Sequence, residues 1–245
     1  MATAPTPLDE RPGTSHSPLH VVLGAFVALG AIGIAAAVLL ALAGDESSTS
    51  TVVVGSGVPA TATRSLPPFG DVELAGSNNV TIRLGQEQSV SVHGDDNLVG
   101  LVTTDVESGT LVIDNRPVSL RTRSPMAVEV AMPSVSNLTL SGSGTINVTG
   151  MDELDVTVLL SGSGVVRAQG STYGLTATVT GSGRAELGRL VAGDVVAVVA
   201  GSGNIRVTAT DSLVAAVPGT GSIVYAGNPT SVTTAVTGIG AITRG

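Results

Sequence analysis

The chain of 245 residues carries a formal net charge of −8, has only 12% charged residues and contains no cysteine. The missing cysteines exclude disulfides, a lipid-modified cysteine and metal-thiolate sites. An acidic chain in which no basic patch is visible is not expected to bind nucleic acid or anionic lipid.

The N-terminal part of the sequence predicts a disordered cytoplasmic tail followed by a transmembrane helix. Residues 1–20 are rich in proline and too short to form a domain, which is typical of a disordered segment. Residues 21–43 carry no charge over 23 positions, enough to cross about 30 Å of hydrocarbon as a helix. Arg11 precedes this span and the next basic residue is Arg64, so the bias of basic residues towards the cytoplasm places the N-terminus inside.

A cleaved signal peptide is the alternative interpretation of the same span. Ala41-Leu42-Ala43 has the small-x-small form of a cleavage site, and cleavage after Ala43 would release a secreted domain. The apolar segment is long for a signal peptide, which favours an uncleaved anchor. The expected location is therefore the cell membrane, with one span and an extracytoplasmic C-terminal domain.

The next two segments predict a tether and a β meander. Residues 44–68 are rich in serine, threonine, valine and alanine and end in Pro67-Pro68, as a tether between membrane and domain would. Residues 69–133 contain short alternating apolar runs separated by Gly, Asp, Asn and Pro. Gly76 has apolar neighbours at the offsets of the repeats that follow, so it marks a degenerate first coil, and the rest of the meander caps the open end of a rod.

Residues 134–245 repeat one phrase six times: alternating aliphatic residues, a Gly-x-Gly corner, then two more aliphatic residues at the alternate spacing. The first glycines are 20, 19, 20, 18 and 19 residues apart, and such a period indicates stacked units that cannot bury an apolar face alone. The corner glycines are Gly142, Gly144, Gly162, Gly164, Gly181, Gly183, Gly201, Gly203, Gly219, Gly221, Gly238 and Gly240.

The period within each repeat is that of β-strands. Apolar residues occupy 27 of the 30 positions that lie two, four and six before or four and six after the first glycine, and these positions share one face of an extended chain. Strands of about five residues that recur with no helix between them can pair only in parallel with the next repeat, giving an all-β solenoid, a parallel β-helix of six or seven coils. Two inner columns follow: Leu140, Leu160, Val179, Val199, Val217, Val236, and Ile146, Val166, Ala185, Ile205, Ile223, Ile242.

The corner glycines fall on the inward phase of the repeat. This position predicts a bend so sharp that a Cβ would collide with the core or with the neighbouring coil, and glycine alone tolerates such an approach or a positive φ. The corners are therefore expected to be structural.

The run from Leu138 to Gly245 with its Gly-Ser-Gly corners, together with Val72 to Ile82, Val90 to Leu98 and Gly109 to Ile113, resembles the bacterial putative auto-transporter adhesin head domain (GIN domain) family. The resemblance covers about residues 66–245 and implies a right-handed, pectin-lyase-like β-helix that is exported and acts in adhesion or surface interaction, with no established catalytic residues. Relatives often place Asp after Gly-Ser-Gly. Here those places hold Thr145, Val165, Arg184, Asn204, Ser222 and Ala241.

Few residues suggest chemistry. Asp152, Glu153 and Asp155 form the tightest acidic group, which predicts a solvated turn, with calcium binding as the alternative. His93 has no nucleophile or orienting partner near it in the sequence, so a surface histidine is expected. No catalytic residue, metal site or cofactor is predicted.

Two outward features remain. Asn147, Arg167, Glu186 and Arg206 should stack as a ladder that fixes register and aids solubility. An apolar strip should form on outward positions where polar residues are expected, which is typical of an interface unless the meander or tether covers it. Its residues are Leu159, Val196, Val198, Val214, Ala216 and Ala235.

The sequence thus favours a non-catalytic adhesion or interaction module of the bacterial cell surface, with a protein or envelope polysaccharide as possible ligand. Two alternatives stay open: a carbohydrate-binding or polysaccharide-processing envelope protein, and an envelope scaffold that self-associates through its last coil.

Overall fold

The computed structural model describes residues 52–116 and 119–245. They belong to one compact unit, Ser50–Gly245. The predicted tail and transmembrane span, residues 1–43, lie outside the described residues. Within the described part of the chain, no helix is long and apolar enough to cross a membrane.

The described residues form seventeen strands and one short 3₁₀ helix, Val99–Leu101. The strands are β1 Val52–Val54, β2 Pro59–Arg64, β3 Asp71–Leu74, β4 Asn79–Leu84, β5 Ser89–Asp95, β6 Val102–Glu107, β7 Thr110–Asn115, β8 Ser119–Arg121, β9 Ala127–Met132, β10 Asn137–Leu140, β11 Thr145–Leu160, β12 Val165–Val179, β13 Arg184–Val199, β14 Asn204–Val217, β15 Ser222–Gly227, β16 Ser231–Val236 and β17 Ala241–Arg244.

The strands from β10 to β17 pair in parallel with their counterparts one coil away, so the fold is a β-solenoid. Leu140 pairs with Leu160, and Leu160 with Val179, on a first wall that precedes each corner. Ile146 pairs with Val166 on a second wall that follows each corner. Both predicted columns therefore stack in register. Their central members are fully buried because each coil covers the one before it.

The coils differ from the prediction in strand length and in number. β11 to β14 run for 14 to 16 residues from one corner to the next, rather than in pieces of five. Backbone pairing continues around a third wall, which lies between the second wall and the next first wall and begins near Met151. The six corners from Gly142 to Gly238 enclose five complete intervals, so this regular part of the solenoid makes about five turns rather than the expected six.

Coil length varies only on the third wall. The paired register shifts there, between Val148 and Met151 in β11 and between Leu187 and Val191 in β13. The first and second walls keep fixed offsets from their corners. The bulges thus absorb the differences among repeats of 18, 19 and 20 residues.

The corner glycines are required by close approach. A Cβ on Gly162 would overlap the carbonyl oxygen of Gly142 one coil below, and a Cβ on Gly181 would overlap that of Gly162. None of the corner glycines has φ in the left-handed region. The alternative reason offered by the sequence, a positive φ, therefore does not apply here.

The N-terminal residues extend the solenoid before they cap it. Val72 of β3 pairs with Leu138, and Val80 of β4 pairs with Ile146, so the Gly76 segment is a coil. β7 and β9 add one further parallel layer. Only β2, β5 and β6 run antiparallel, and these three strands are called the N-terminal cap.

Residues 52–64 do not form a tether. β2 pairs along its whole length with β5, from Pro59 opposite Asp95 to Arg64 opposite Val90, and β1 pairs with β8. The serine, threonine, valine and alanine residues that suggested a linker belong largely to strands whose alternate residues remain exposed. The predicted boundary at residue 68 therefore falls after the domain has begun.

The C-terminal coil is the least covered. Val232 and Val236 of β16 occupy inward positions yet are 44% and 46% exposed, whereas Leu213 and Val217 one coil below are 1% and 0% exposed. The core thus runs through the centre of the solenoid and ends at an open face.

Candidate functional surfaces

The apolar strip forms on the outer face of the first wall. Pairing places Val196 beside Val214, and Val198 beside Ala216, which in turn pairs with Ala235. Val196 is 40% exposed, while Ala216 is only 4% exposed. Val198, Val214 and Leu159 are half-buried. The predicted neighbours are therefore adjacent, and their role in association stays a prediction.

Asp152, Glu153 and Asp155 lie within strand β11 rather than in the predicted turn, and two of them accept hydrogen bonds from residues of neighbouring coils. The Ser171 hydroxyl donates to Asp152 Oδ1 at 3.3 Å, and the backbone N–H of Val135 donates to Glu153 Oε1 at 3.2 Å. The described residues contain no group of three or more His, Cys, Asp or Glu side chains placed to hold a metal ion.

His93 has partners that sequence reasoning missed. Its Nδ1 lies 2.9 Å from Thr61 Oγ1 and its Nε2 lies 3.0 Å from Ser91 Oγ. Both partners are hydroxyls, so neither orients the ring as a carboxylate does in a catalytic triad. The sequence could have indicated only the Ser91 contact, because Ser91 and His93 are two residues apart on one face of a strand.

A hydrogen bond from Arg83 lowers the pKa of nearby Glu129 below its usual value, and the charge of His93 adds a smaller effect.

Asp95 forms hydrogen bonds with the segment that was predicted to be the tether. Its carboxylate is buried and accepts backbone hydrogen bonds from Gly57, Arg123 and Ser124 at 2.8 to 3.2 Å. These bonds, that from Arg123 first, outweigh burial and hold the pKa of Asp95 below its usual range. The side chain of Asn97 also accepts from Ser56 and donates to Val54. Asp95 therefore stabilises the N-terminal cap.

The second wall carries a groove on its outer face that the sequence analysis did not predict. It has a volume of about 1110 Å³ and crosses successive coils from β11 to β15. Register places Arg167 beside Glu186 and Glu186 beside Arg206, as the predicted ladder requires. Arg184 and Arg189 also line it. These four arginines and Glu186 are here called the arginine groove.

The arginine groove corrects the expectation that the chain has no basic patch. Glu186 is its only lining acidic side chain, and it accepts from Arg167 at 2.7 Å and lies 3.6 Å from Arg184. The predicted Glu186–Arg206 pair does not form among the described ion pairs. The patch was missed because its members are up to 39 residues apart and meet only through the parallel register.

The protein is therefore a β-solenoid whose outward side chains form ladders along successive coils. The model of the family described as putative auto-transporter adhesin, head GIN domain, matches residues 68–229. The chain belongs to this family.

Solved structures agree on the fold. A putative adhesin from Bacteroides fragilis NCTC 9343 is 23% identical, with a TM-score of 0.61 over 78% of this chain and 99% of that chain. A putative lipid binding protein from Parabacteroides distasonis ATCC 8503 is 24% identical, with a TM-score of 0.50 over 80% of this chain and 100% of that chain. No curated protein shows significant sequence similarity to the chain.

Proposed function

We propose that the chain is an adhesion or interaction module of the bacterial cell surface, anchored by residues 21–43 and without catalytic activity. Membership of the adhesin head family supports the adhesive role. The uncharged span of 23 residues supports the anchor.

The observation that carries the proposal is the arginine groove. Parallel register places outward side chains of successive coils side by side, about 4.8 Å apart. A regular wall of this kind offers a long binding face whose side chains are held by the backbone ladder rather than by loops. Rigid presentation lowers the entropy that binding must overcome.

Polysaccharide hydrolysis is less well supported than binding. Glycoside hydrolysis uses two carboxyl groups about 5 to 10 Å apart. The arginine groove is lined by a single acidic side chain, Glu186, and that group already pairs with Arg167. The geometry therefore favours recognition of a ligand over its hydrolysis.

Surface location can be tested by thiol labelling, because the chain has no cysteine of its own. Ser163 lies at an exposed corner, so a Ser163→Cys variant of the full chain should react with a membrane-impermeant maleimide on intact cells. A Ser17→Cys variant in the predicted cytoplasmic tail should react only after permeabilisation. Labelling of Ser17→Cys alone on intact cells would reverse the topology, and labelling of neither variant would place the domain inside.

The apolar strip supplies a second test of the interaction role. Val198→Lys with Val214→Lys should abolish cell aggregation or partner binding that depends on this chain, because two charges would enter an apolar contact. Thr157→Lys with Thr176→Lys alters the same face of earlier coils and serves as the matched control. Unchanged sedimentation and binding of the strip variant would discard the strip as an interface.

A further inference from the structure

We infer that the arginine groove binds a linear polysaccharide that carries carboxylates, laid across the coils parallel to the solenoid axis. The inference deepens the proposed function by naming a ligand class, and it rests on that function only in taking the groove as a binding face.

The charge of the groove is opposite to that of its surroundings. Four arginines and one glutamate line it, whereas the other described residues carry six arginines and fourteen carboxylates. A positive groove within a negative domain concentrates the field on one strip of surface. An anionic ligand would therefore be directed to this wall and repelled by the others.

Two of the arginines have no ionic partner among the described residues. Glu186 engages Arg167 and Arg184, while Arg189 and Arg206 are exposed and make no ion pair. Guanidinium groups form bidentate hydrogen bonds with carboxylates. Arg189 and Arg206 are thus available for ligand carboxylates without breaking a bond of the protein.

Gly188 lets Arg206 lie across the wall. A Cβ at Gly188 would come within 3.1 and 3.2 Å of the Arg206 Cγ and Cδ atoms. With glycine at this position, the aliphatic stem of Arg206 rests on the coil below. The third-wall bulge between Leu187 and Val191 starts here and also carries Arg189.

The remaining lining offers hydrogen bonds to a sugar chain. Amide and hydroxyl side chains suited to hydrogen bonding with sugar hydroxyls are contributed by Asn147, Thr149, Gln169, Asn204, Thr208 and Ser222. No aromatic side chain lines the groove, so neither sugar rings nor the bases of a single-stranded nucleic acid would stack there, and recognition would depend on charge and hydrogen bonds. Arg167 and Arg206 are two coils, about 10 Å, apart along the groove.

Binding of polygalacturonate to the full-length chain in nonionic detergent, measured by isothermal calorimetry at low and physiological salt, tests the inference. Wild type should bind, and more weakly at higher salt because the contacts are exposed. Arg189→Gln with Arg206→Gln should bind about a hundredfold more weakly, since each lost charge-assisted hydrogen bond costs about a factor of ten. Arg121→Gln removes an exposed arginine outside the groove and should bind as wild type does.

A variant that binds the polymer more tightly distinguishes an effect on the groove from general damage to the fold. Glu186→Gln removes the only acidic side chain of the lining and frees Arg167 and Arg184, so it should tighten binding by about tenfold. Fully methyl-esterified polygalacturonate has the same backbone without the charge and should not bind.

Several results would overturn the inference: equal binding by wild type and the double variant, equal weakening by Arg121→Gln, binding of the esterified polymer, or tighter groove-dependent binding of single-stranded DNA. Failure here with Ser163→Cys still labelled on intact cells would remove the ligand class and leave the surface module. Binding of polygalacturonate by a chain whose Ser163→Cys variant is not labelled on intact cells would keep the ligand class and remove the surface location.

Discussion

The two ends of the solenoid are finished differently. At the N-terminal end, the antiparallel strands of the cap cover the core, and Val90 and Val92 of β5 are 2% and 0% exposed. At the C-terminal end, β16 and β17 continue the parallel ladder, and the inward positions of β16 face solvent. Antiparallel strands end a ladder because they replace the next coil as both pairing partner and apolar cover.

The comparison shows where stability should be concentrated. A residue in a middle coil is packed from both sides, whereas the same column position in the last coil is packed from one side only. Substitutions in equivalent positions should therefore differ in cost along the rod, although the sequence gives them the same pattern.

The largest contrast is expected at the corners. Gly181→Ala places a Cβ against the carbonyl oxygen of Gly162 between two packed coils, and it should lower the free energy of unfolding by at least about 3 kcal/mol. Gly238→Ala makes the same overlap with Gly219, but the last coil can move outward, so the loss should be smaller. Urea unfolding would measure both. Gly100→Ala, which meets nothing within 4 Å, is the control, and equal costs for Gly181→Ala and Gly238→Ala would refute the contrast.

A matched pair within one column should show the next largest contrast. Val179 is fully buried, and Val179→Ala should cost about 2 to 3 kcal/mol through lost burial and a residual cavity. Val236 lies in the same column but is 46% exposed, so Val236→Ala should cost less than about 1 kcal/mol. Chemical denaturation curves of the two variants decide the matter, and a larger cost at Val236 would contradict the comparison.

The cap should weaken in acid through Asp95. The folded state lowers the pKa of this carboxyl, so its hydrogen bonds stabilise the fold above the usual value of about 3.9 and are lost as the pH falls towards the lower folded pKa. Asp95→Asn should therefore reduce the melting temperature at pH 7, and its difference from wild type should shrink below pH 4. Asp105→Asn, at an exposed carboxylate of β6, is the control. A difference that stays constant with pH would exclude the ionised form as the source of the stabilisation.

The smallest effect on stability, with a clear effect on assembly, is expected at the open end. Edge strands offer unpaired backbone groups to another chain, and β16 also exposes its inward apolar positions, so two copies should meet through β16 and β17. The sedimentation coefficient of wild type should rise with concentration, and Val232→Lys with Val236→Lys should abolish the rise at little cost in stability because both side chains are already exposed. A coefficient independent of concentration in wild type would exclude the self-associating scaffold.

The inner columns could be predicted because one period governs both the sequence and the register. Leu160, Val179 and Val199 share an offset from their corners, and the same offset brings them into one core. Arg189 follows no such offset because it lies on a bulge, so its place in the same groove as Arg206 depends on a register shift that the repeat does not encode. The contacts of Asp95 could not be predicted for another reason. Its partners Gly57 and Arg123 lie 38 and 28 residues away, and antiparallel strands that follow no repeat bring them to it.

The third-wall bulges make the length of a repeat adjustable. A residue inserted or lost between Leu187 and Val191 would leave every first-wall and second-wall column in place, because those offsets are counted from the corners on either side. The length and the side chains of the part of each turn that borders the groove can thus change while the glycine corners and the aliphatic interior stay in place.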